Sequence, residues 1–161
     1  MSSQIKVLFI CTGNACRSQM AETLLRHIGG DRFEAFSAGS HPAGFIHPLA
    51  VRAMERLGLD MADQYSKSWD EFADKAVDLV ITLCDSAAAL PCPNWAAGPM
   101  VAHWSHPDPV AMPGPDQQRL EFAVEVANRL RQKLERLIAL DFDNAPRPEL
   151  LARIQQMGII S

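Results

Sequence analysis

The sequence predicts an α/β fold, namely a three-layer sandwich with a central parallel sheet of four strands. Short apolar runs alternate along the chain with longer segments whose apolar residues recur at helical spacing. This order is typical of parallel strands joined by helical crossovers, which place ligands at the carboxyl ends of the strands. With 161 residues, 48% of them hydrophobic, the chain can bury a substantial core, and residues 1–161 are expected to form a single domain.

The first half of the chain contains two predicted strand–helix pairs. Their expected bounds are Ile5–Ile10, Ser18–Ile28, Phe33–Ala38 and His47–Leu57. The strands are largely apolar runs, and both helices carry apolar residues three or four positions apart. Gly29, Gly39 and Gly58 follow the last three of these elements, where glycine commonly ends regular structure.

The second half adds a short helix, two strands, a long helix and a helical tail that begins at about residue 146. The expected bounds of the first four are Trp69–Ala73, Asp78–Leu83, Met100–Trp104 and Gln117–Leu140. Ser68 and Glu71 have the spacing of a capping box at the start of the short helix. The long helix is amphipathic, and the residues expected to face the sheet are Leu120, Ala123, Val124, Ala127, Leu130, Leu134 and Leu137.

Composition and charge argue against several classes of function. The net charge of −4 gives no electrostatic reason to expect nucleic acid or an anionic membrane as partner. The sequence shows neither a secretory signal pattern nor an apolar run long enough to span a bilayer, so a cytoplasmic protein is expected. Four cysteines in such a protein are more typical of thiols with chemical roles than of structural disulfides.

The first apolar run leads directly into Cys11, and Arg17 follows six positions later. A loop of this length at the start of a helix can turn its backbone N–H groups inward around a tetrahedral oxyanion. Cys11 would lie at its base, where those dipoles and Arg17 favour a nucleophilic thiolate. The residues expected to bind the oxyanion are Thr12, Gly13, Asn14, Ala15, Cys16, Arg17 and Ser18. The alternative is a buried cysteine at a strand end beside a surface arginine.

The segment Cys11-Thr-Gly-Asn-Ala-Cys-Arg-Ser18 resembles the C-x5-R-S loop of low-molecular-weight protein tyrosine phosphatases and of the arsenate reductases built on the same fold. The resemblance implies the fold of that family and catalytic roles for Cys11 and Arg17. It also implies that Ser37, at the end of the second strand, anchors Asn14; the alternative is an ordinary serine at a strand end.

An Asp-Pro pair near the end of the fourth strand extends the resemblance. In the family such an aspartate acts as the general acid on the leaving oxygen, and by position that role passes to Asp108. The alternative is that Pro107-Asp108-Pro109 is an ordinary turn. Val110 and Ala111 follow the pair where the phosphatases of this fold carry aromatic pocket walls, which argues against a phosphotyrosine substrate.

Cys84 and Cys92 distinguish the two branches of the family, because a phosphatase needs neither and a reductase needs both. The pair, with its Cys-Pro-Asn-Trp continuation, resembles the arsenate reductases over about residues 5–140. In one continuous helix the two Cα atoms would lie about 12 Å apart, beyond the limit of about 7 Å for a disulfide. The segment must therefore bend or unwind, and Pro91 and Pro93 oppose helix around Cys92.

The resemblance implies reduction of arsenate to arsenite, for arsenic detoxification, through a relay of three cysteines. Cys11 attacks arsenate, Cys84 attacks Cys11 and releases arsenite, and Cys92 moves the disulfide to Cys84–Cys92. An external thiol then reduces it, with thioredoxin or glutaredoxin with glutathione as the expected partner. No bound cofactor is expected. Cys16 has no required role, and is either a spectator or a partner of Cys11 in a protective disulfide.

Two alternative functions use some of the same residues, and a structural metal ion is a separate question. A phosphatase could use the Cys11 loop with water as second nucleophile. A zinc site is a different class, although its spacing is unlike that of usual zinc knuckles; its ligands would be Cys84, Cys92, His103 and His106. No metal is expected beyond a structural potassium ion found in some relatives, at positions that correspond here to Asn14, Glu22 and Ser37.

Overall fold

A four-stranded parallel sheet forms the centre of the molecule, in the strand order β2-β1-β3-β4. The computed structural model describes residues 4–85 and 98–159. The strands are β1 at Ile5–Cys11, β2 at Phe33–Gly39, β3 at Leu79–Thr82 and β4 at Met100–His103. These bounds agree with the sequence prediction to within one residue at either end, and the predicted parallel α/β sheet is confirmed.

Four α-helices and three 3₁₀ segments accompany the sheet in the described ranges. The helices are α1 at Arg17–Gly29, α2 at Pro48–Arg56, α3 at Asp116–Ile138 and α4 at Arg147–Ile159. The 3₁₀ segments are Gly30–Arg32, Trp69–Phe72 and Pro109–Ala111. The short helix predicted at residues 69–73 is thus a 3₁₀ turn. Ser68 Oγ accepts the Asp70 amide at 3.1 Å, whereas Glu71 accepts the Tyr65 hydroxyl at 3.1 Å and does not complete a capping box.

Side chains of β1 alternate between two apolar clusters, one on each face of the sheet. Val7 and Phe9 belong to the larger cluster, together with buried residues of all four helices. Leu8 and Ile10 belong to the smaller cluster on the other face. Cys11, at the end of β1, and Cys84, just after β3, also lie in this smaller cluster, so the carboxyl ends of the two central strands are packed.

The buried stripe of α3 differs in part from the predicted one. Five of its predicted residues are buried, but Leu120 and Val124 are only partly covered, while Val126 and Lys133 are buried. The sequence predicts that this stripe faces the sheet. Helix α3 packs mainly against α1 and α2, so its buried side is slightly rotated from the predicted one. In the described ranges, none of the helices combines the length and the apolar character that crossing a membrane requires.

The helical tail packs against β4. Trp104, directly after β4, is fully buried and its Nε1 donates to the Ile154 carbonyl at 2.7 Å. A Cβ atom at Gly158 would lie 2.4 Å from the His103 carbonyl oxygen, so glycine permits this close approach. The predicted tail helix therefore forms and joins the main core.

Candidate active site

The loop between β1 and α1 lies at the carboxyl end of the sheet. The carbonyl oxygens of Thr12, Gly13 and Ala15 accept hydrogen bonds of 2.8–2.9 Å from backbone amides of the 41–47 loop. Every described peptide bond is trans, so each N–H points away from the carbonyl of the same peptide unit. The amides of Gly13, Asn14 and Cys16 therefore point to the inner side of the loop. Several inward amides beside a helix N-terminus can bind an oxyanion.

Asn14 fixes the shape of the loop. Its φ of 48° is left-handed, a region that asparagine tolerates better than most residues. Its Nδ2 donates to Ser18 Oγ at 2.8 Å, and its Oδ1 accepts from Gln19 Nε2 and from the Lys67 amide, both at 3.0 Å. The fully buried side chain thus ties the loop to the start of α1 and to the segment before Ser68.

Gly39 permits the close approach of β2 to the loop. It pairs with Cys11 in the sheet register. A Cβ atom here would lie 2.5 Å from the Thr12 carbonyl oxygen and 2.9 Å from the Asn14 amide nitrogen. Both neighbours are backbone atoms of the segment from Thr12 to Ser18, called the oxyanion loop below after its expected role, so any larger residue would displace that loop.

Cys11 ends β1 at the base of the loop and is buried. Its Sγ lies 2.8 Å from Ser18 Oγ, which in turn accepts from Asn14. Because the Ser18 hydroxyl receives a hydrogen bond from Asn14, its own hydrogen is available for the sulfur of Cys11. This geometry stabilises negative charge on that sulfur.

Cys16 has a different environment from Cys11. Burial, with a smaller contribution from the negative charges of Asp108 and Cys11, raises the pKa of Cys16 to about 12. At neutral pH the Cys16 thiol is therefore protonated.

Arg17 and Asp108 face each other across the mouth of the loop. The Nη2 atom of Arg17 lies 3.6 Å from Asp108 Oδ2, and its Nη1 donates to the His106 carbonyl at 2.9 Å. Asp108 Oδ1 accepts the Val110 amide at 2.9 Å and so caps the 3₁₀ segment that follows. The guanidinium is mostly buried and the carboxylate is 34% exposed, so Asp108 can meet both a bound anion and water.

Cys84 lies close to the same loop. It follows β3, the neighbour of β1, and its buried Sγ is 3.2 Å from Thr12 Oγ1. An open cleft of about 610 Å³ joins these groups, and its lining residues are Thr12, Arg17, Cys84, Asp85, Ser105, His106, Pro107 and Asp108. The described cysteines, Cys11, Cys16 and Cys84, are free thiols. Cys92 and the predicted bend around it lie outside the described residues.

The two histidines near Asp108, His103 and His106, are already hydrogen-bonded at both ring nitrogens. His103 contacts Thr82 Oγ1 and Asp85 Oδ1, each at 2.7 Å. His106 Nδ1 donates to the Trp104 carbonyl at 2.9 Å, and its Nε2 accepts from Lys133 Nζ at 3.4 Å. Among the described residues, there is no group of three or more histidine, cysteine or acidic side chains arranged to hold a metal ion.

Burial lowers the pKa of His106 to about 4, and the positive charge of Lys133 adds to this shift. The hydrogen bond from the His106 ring to the Trp104 carbonyl opposes the shift. His106 is therefore neutral at neutral pH, consistent with its acceptance of a hydrogen bond from Lys133. His106 thus connects Lys133 to Arg17, because its ring accepts from Lys133 and its backbone carbonyl accepts from Arg17.

The expected contact between Ser37 and Asn14 is wrong. Ser37 Oγ donates to Glu22 Oε1 at 2.6 Å. Side chains alternate along β2, and Ser37 shares the face of Phe33 and Ala35, which packs against α1. The hydroxyl therefore reaches Glu22 on α1, while Gln19 and Lys67 hold Asn14 instead.

Sequence reasoning missed three supports of the loop. Gln19, Lys67 and Lys133 are buried polar residues, and each has at least one contact with a segment distant in sequence. For Gln19 the sequence offers only its position directly after the C-x5-R-S segment, because its helix face also carries Glu22, Thr23 and Arg26. Lys67 and Lys133 resemble ordinary surface lysines in the sequence, and only the fold reveals their burial.

Comparison with known proteins gives consistent results. Residues 6–140 match the low molecular weight phosphotyrosine protein phosphatase family. An arsenate reductase of Halalkalibacterium halodurans is 35% identical over 129 residues, which cover 80% of this chain and 91% of that protein. A solved arsenate reductase in the phosphate binding state has a TM-score of 0.68 and 33% identity, and the match covers 84% of this chain and 98% of that chain. The thioredoxin-dependent arsenate reductase of Corynebacterium glutamicum has a TM-score of 0.62 and 34% identity, with 85% of this chain and 63% of that chain covered.

These similarities extend over both the loop and the sheet that positions it. The matched residues 6–140 include Cys11, Cys84 and Asp108. The resemblance that the segment from Cys11 to Ser18 indicated is thereby confirmed, and the chain belongs to the low molecular weight phosphotyrosine protein phosphatase family.

Proposed function

We propose that this protein is an enzyme that reduces arsenate to arsenite through a relay of cysteines. The observation that carries the proposal is the position of Cys84, a second buried thiol whose Sγ lies 3.2 Å from the side chain that follows Cys11. Phosphate ester hydrolysis needs one thiol and water, and gives no reason for a second thiol there. The arsenate reductases among the similar proteins support the same choice.

In the first step the Cys11 thiolate attacks arsenic in arsenate bound by the loop amides and Arg17. A sulfur–arsenic bond forms and an arsenic–oxygen bond breaks. Asp108 donates a proton to the departing oxygen, which leaves as water. Its place 3.6 Å from Arg17 puts the acid beside the group that binds the anion.

In the second step Cys84 attacks the sulfur of Cys11. A disulfide forms between Cys11 and Cys84, the sulfur–arsenic bond breaks, and its electron pair stays on arsenic. Arsenic(V) thereby becomes arsenic(III), which leaves as arsenite, and two thiols supply the two electrons. The side chain of Thr12 contacts Cys84 and holds its sulfur at the rim of the loop.

In the third step Cys92 attacks Cys84 and frees Cys11, which leaves a Cys84–Cys92 disulfide. A dithiol protein of the thioredoxin type reduces this bond by exchange, and one similar solved structure is a thioredoxin-dependent arsenate reductase. Glutaredoxin with glutathione is the other reductant that this chemistry permits. Since the cycle starts from free thiols, it suits a reducing compartment such as the cytoplasm.

The test is the substitution Cys92→Ser. Reduced variant mixed with arsenate should release one equivalent of arsenite and then stop, even with thioredoxin and its reductase present. Mass spectrometry should find Cys11 joined to Cys84 in the stalled variant and Cys84 joined to Cys92 in oxidised wild type. Hydrolysis of an aryl phosphate, which needs only Cys11, Arg17 and Asp108, should not change.

Two results would contradict the proposal. Normal steady-state arsenate reduction by Cys92→Ser with thioredoxin would refute the relay and favour glutathione acting directly on Cys84 or on the arsenic adduct. Wild type that reduces no arsenate but hydrolyses aryl phosphates rapidly would be a phosphatase.

A further inference from the structure

A buried carboxylate lies beneath the oxyanion loop. Glu22 on α1 has a side chain only 5% exposed, and a charge enclosed in this way needs positive partners. Its Oε2 accepts from Arg26 Nη2 at 2.5 Å, and its Oε1 accepts from Ser37 and lies 3.9 Å from Lys67 Nζ. The Arg26 side chain is 49% exposed, whereas that of Lys67 is 7% exposed. Of these two cations, Lys67 is the one enclosed with the carboxylate.

Lys67 is held at both ends. Its ammonium donates to the Tyr65 carbonyl at 2.8 Å and lies 4.4 Å from the centroid of the Tyr65 ring. Its backbone amide donates to Asn14 Oδ1 at 3.0 Å, and its carbonyl accepts the Gly39 amide at 2.9 Å. Burial lowers the pKa of Lys67, and the negative charge of Glu22 opposes that shift. One residue therefore carries a buried charge and contacts the loop directly.

The oxygen atoms that would bind potassium here do not fit that ion. A hard cation needs several oxygens free to face it at once. Asn14 Oδ1 already accepts two hydrogen bonds, from Gln19 and from Lys67. Both oxygens of Glu22 also have donors, and the Lys67 ammonium near Oε1 repels a second cation. The cluster carries its own positive charge.

We infer that the Lys67 ammonium serves as an internal cation in place of potassium, and that Lys67 is a positioning residue for the oxyanion loop. The effect of Lys67 on Cys11 passes through the two hydrogen-bonding atoms of the Asn14 side chain. The anchored Lys67 side chain holds its own backbone amide in place, and that amide donates to Asn14 Oδ1. This contact directs Asn14 Nδ2 to the Ser18 hydroxyl, which lies 2.8 Å from Cys11 Sγ. The inference goes beyond arsenate reduction, because it concerns the ionic requirement of the folded loop.

The first experiment uses unmodified protein. Its thermal midpoint is measured in potassium chloride, sodium chloride and choline chloride at equal ionic strength. The expected result is the same midpoint in all three salts. A midpoint raised by potassium alone would mean that the ion binds in the presence of Lys67, and this would overturn the inference without requiring any variant to fold.

The second experiment compares Lys67→Ala with Lys67→Met. Alanine removes the ammonium and opens its space, so the thermal midpoint should fall in choline and rise again in potassium. Methionine removes the charge but fills most of the space, so its midpoint should stay low in both salts. A Lys67→Ala midpoint that does not respond to potassium would refute the equivalence of ammonium and ion.

A third measurement separates positioning from stability alone. The pH dependence of iodoacetamide alkylation at Cys11 is followed by peptide mass spectrometry. Lys67→Ala in choline should shift this profile to higher pH, and potassium should return it toward the wild-type profile. A wild-type profile for Lys67→Ala in choline would show that Lys67 does not act on the loop. None of these measurements uses arsenate, so they can fail independently of the proposed reaction.

Discussion

Replacing Asp108 by asparagine removes the proposed proton donor and keeps its shape. The asparagine Oδ1 can still accept the Val110 amide, a bond of 2.9 Å in the native protein, so the 3₁₀ cap remains. The charge pair with Arg17 is lost, but its atoms are 3.6 Å apart and Asp108 is 34% exposed. Such a partly solvated pair contributes at most about 1 kcal/mol, so the free energy of unfolding should change by no more than that.

The effect on the rate should be much larger. A positioned general acid contributes a factor of about 10² to 10⁴, which corresponds to about 2.7 to 5.4 kcal/mol of activation free energy. Oxyanion affinity should be equal or slightly higher, because a negative carboxylate beside the bound anion has been neutralised and Arg17 keeps its hydrogen bond to His106.

The assay is rapid-quench measurement of arsenite from reduced enzyme in a single turnover, with phosphate affinity from competition and stability from urea unfolding. Asp85→Asn is the matched control, since Asp85 lines the same cleft but its side chain is 82% exposed and contacts His103. Its single-turnover rate should stay near that of wild type. A normal rate in Asp108→Asn, together with weaker phosphate binding, would show that Asp108 positions the loop and donates no proton.

Three further predictions concern residues around the loop. Gly39→Ala places a Cβ atom 2.5 Å from the Thr12 carbonyl oxygen, so it should cost about 1–3 kcal/mol and weaken phosphate binding; unchanged phosphate affinity in a titration would contradict this. Cys16→Ala should leave single-turnover reduction unchanged, because a pKa of about 12 keeps Cys16 protonated, and iodoacetamide at neutral pH should label Cys11 and not Cys16 in folded wild type. Burial lowers the pKa of His106 from 6.5 to about 4, so between these pH values the unfolded chain binds a proton there and the folded chain does not. The free energy of unfolding should therefore be highest above about pH 6.5 and fall by up to about 3 kcal/mol toward pH 4. Urea unfolding at neutral pH and near pH 4 should show this loss, and an equal loss in His106→Gln would assign it to other groups.

The strands and the oxyanion loop could be predicted from the sequence because their signals are local. An apolar run, a cysteine and an arginine six positions later suffice to place Cys11 at the end of β1 and Arg17 at the start of α1. The same holds for Asp108, whose flanking prolines restrict its loop and whose carboxylate does face Arg17.

The supports of the loop could not be predicted because they depend on tertiary contacts. A bridge between Gly39 and Ser68 places Lys67 beneath the loop, and no local pattern distinguishes this lysine from an exposed one. Ser37 was assigned the wrong partner because its side-chain direction depends on strand register and on which helix covers that face. Lys133 is buried because α3 passes behind His106.

Helix α4 has a consequence for the solubility of shortened chains. In the described structure β4 is an edge strand, and an uncovered edge can pair with a strand of another molecule. Gln155 on α4 donates to the Val101 carbonyl at 3.5 Å, and Gly158 lies against the His103 carbonyl, so the helix blocks this edge. Because α4 follows the family match at residues 6–140, a chain trimmed to that match would expose Trp104 and the edge together. Such a chain would aggregate through β4 even if its oxyanion loop were intact.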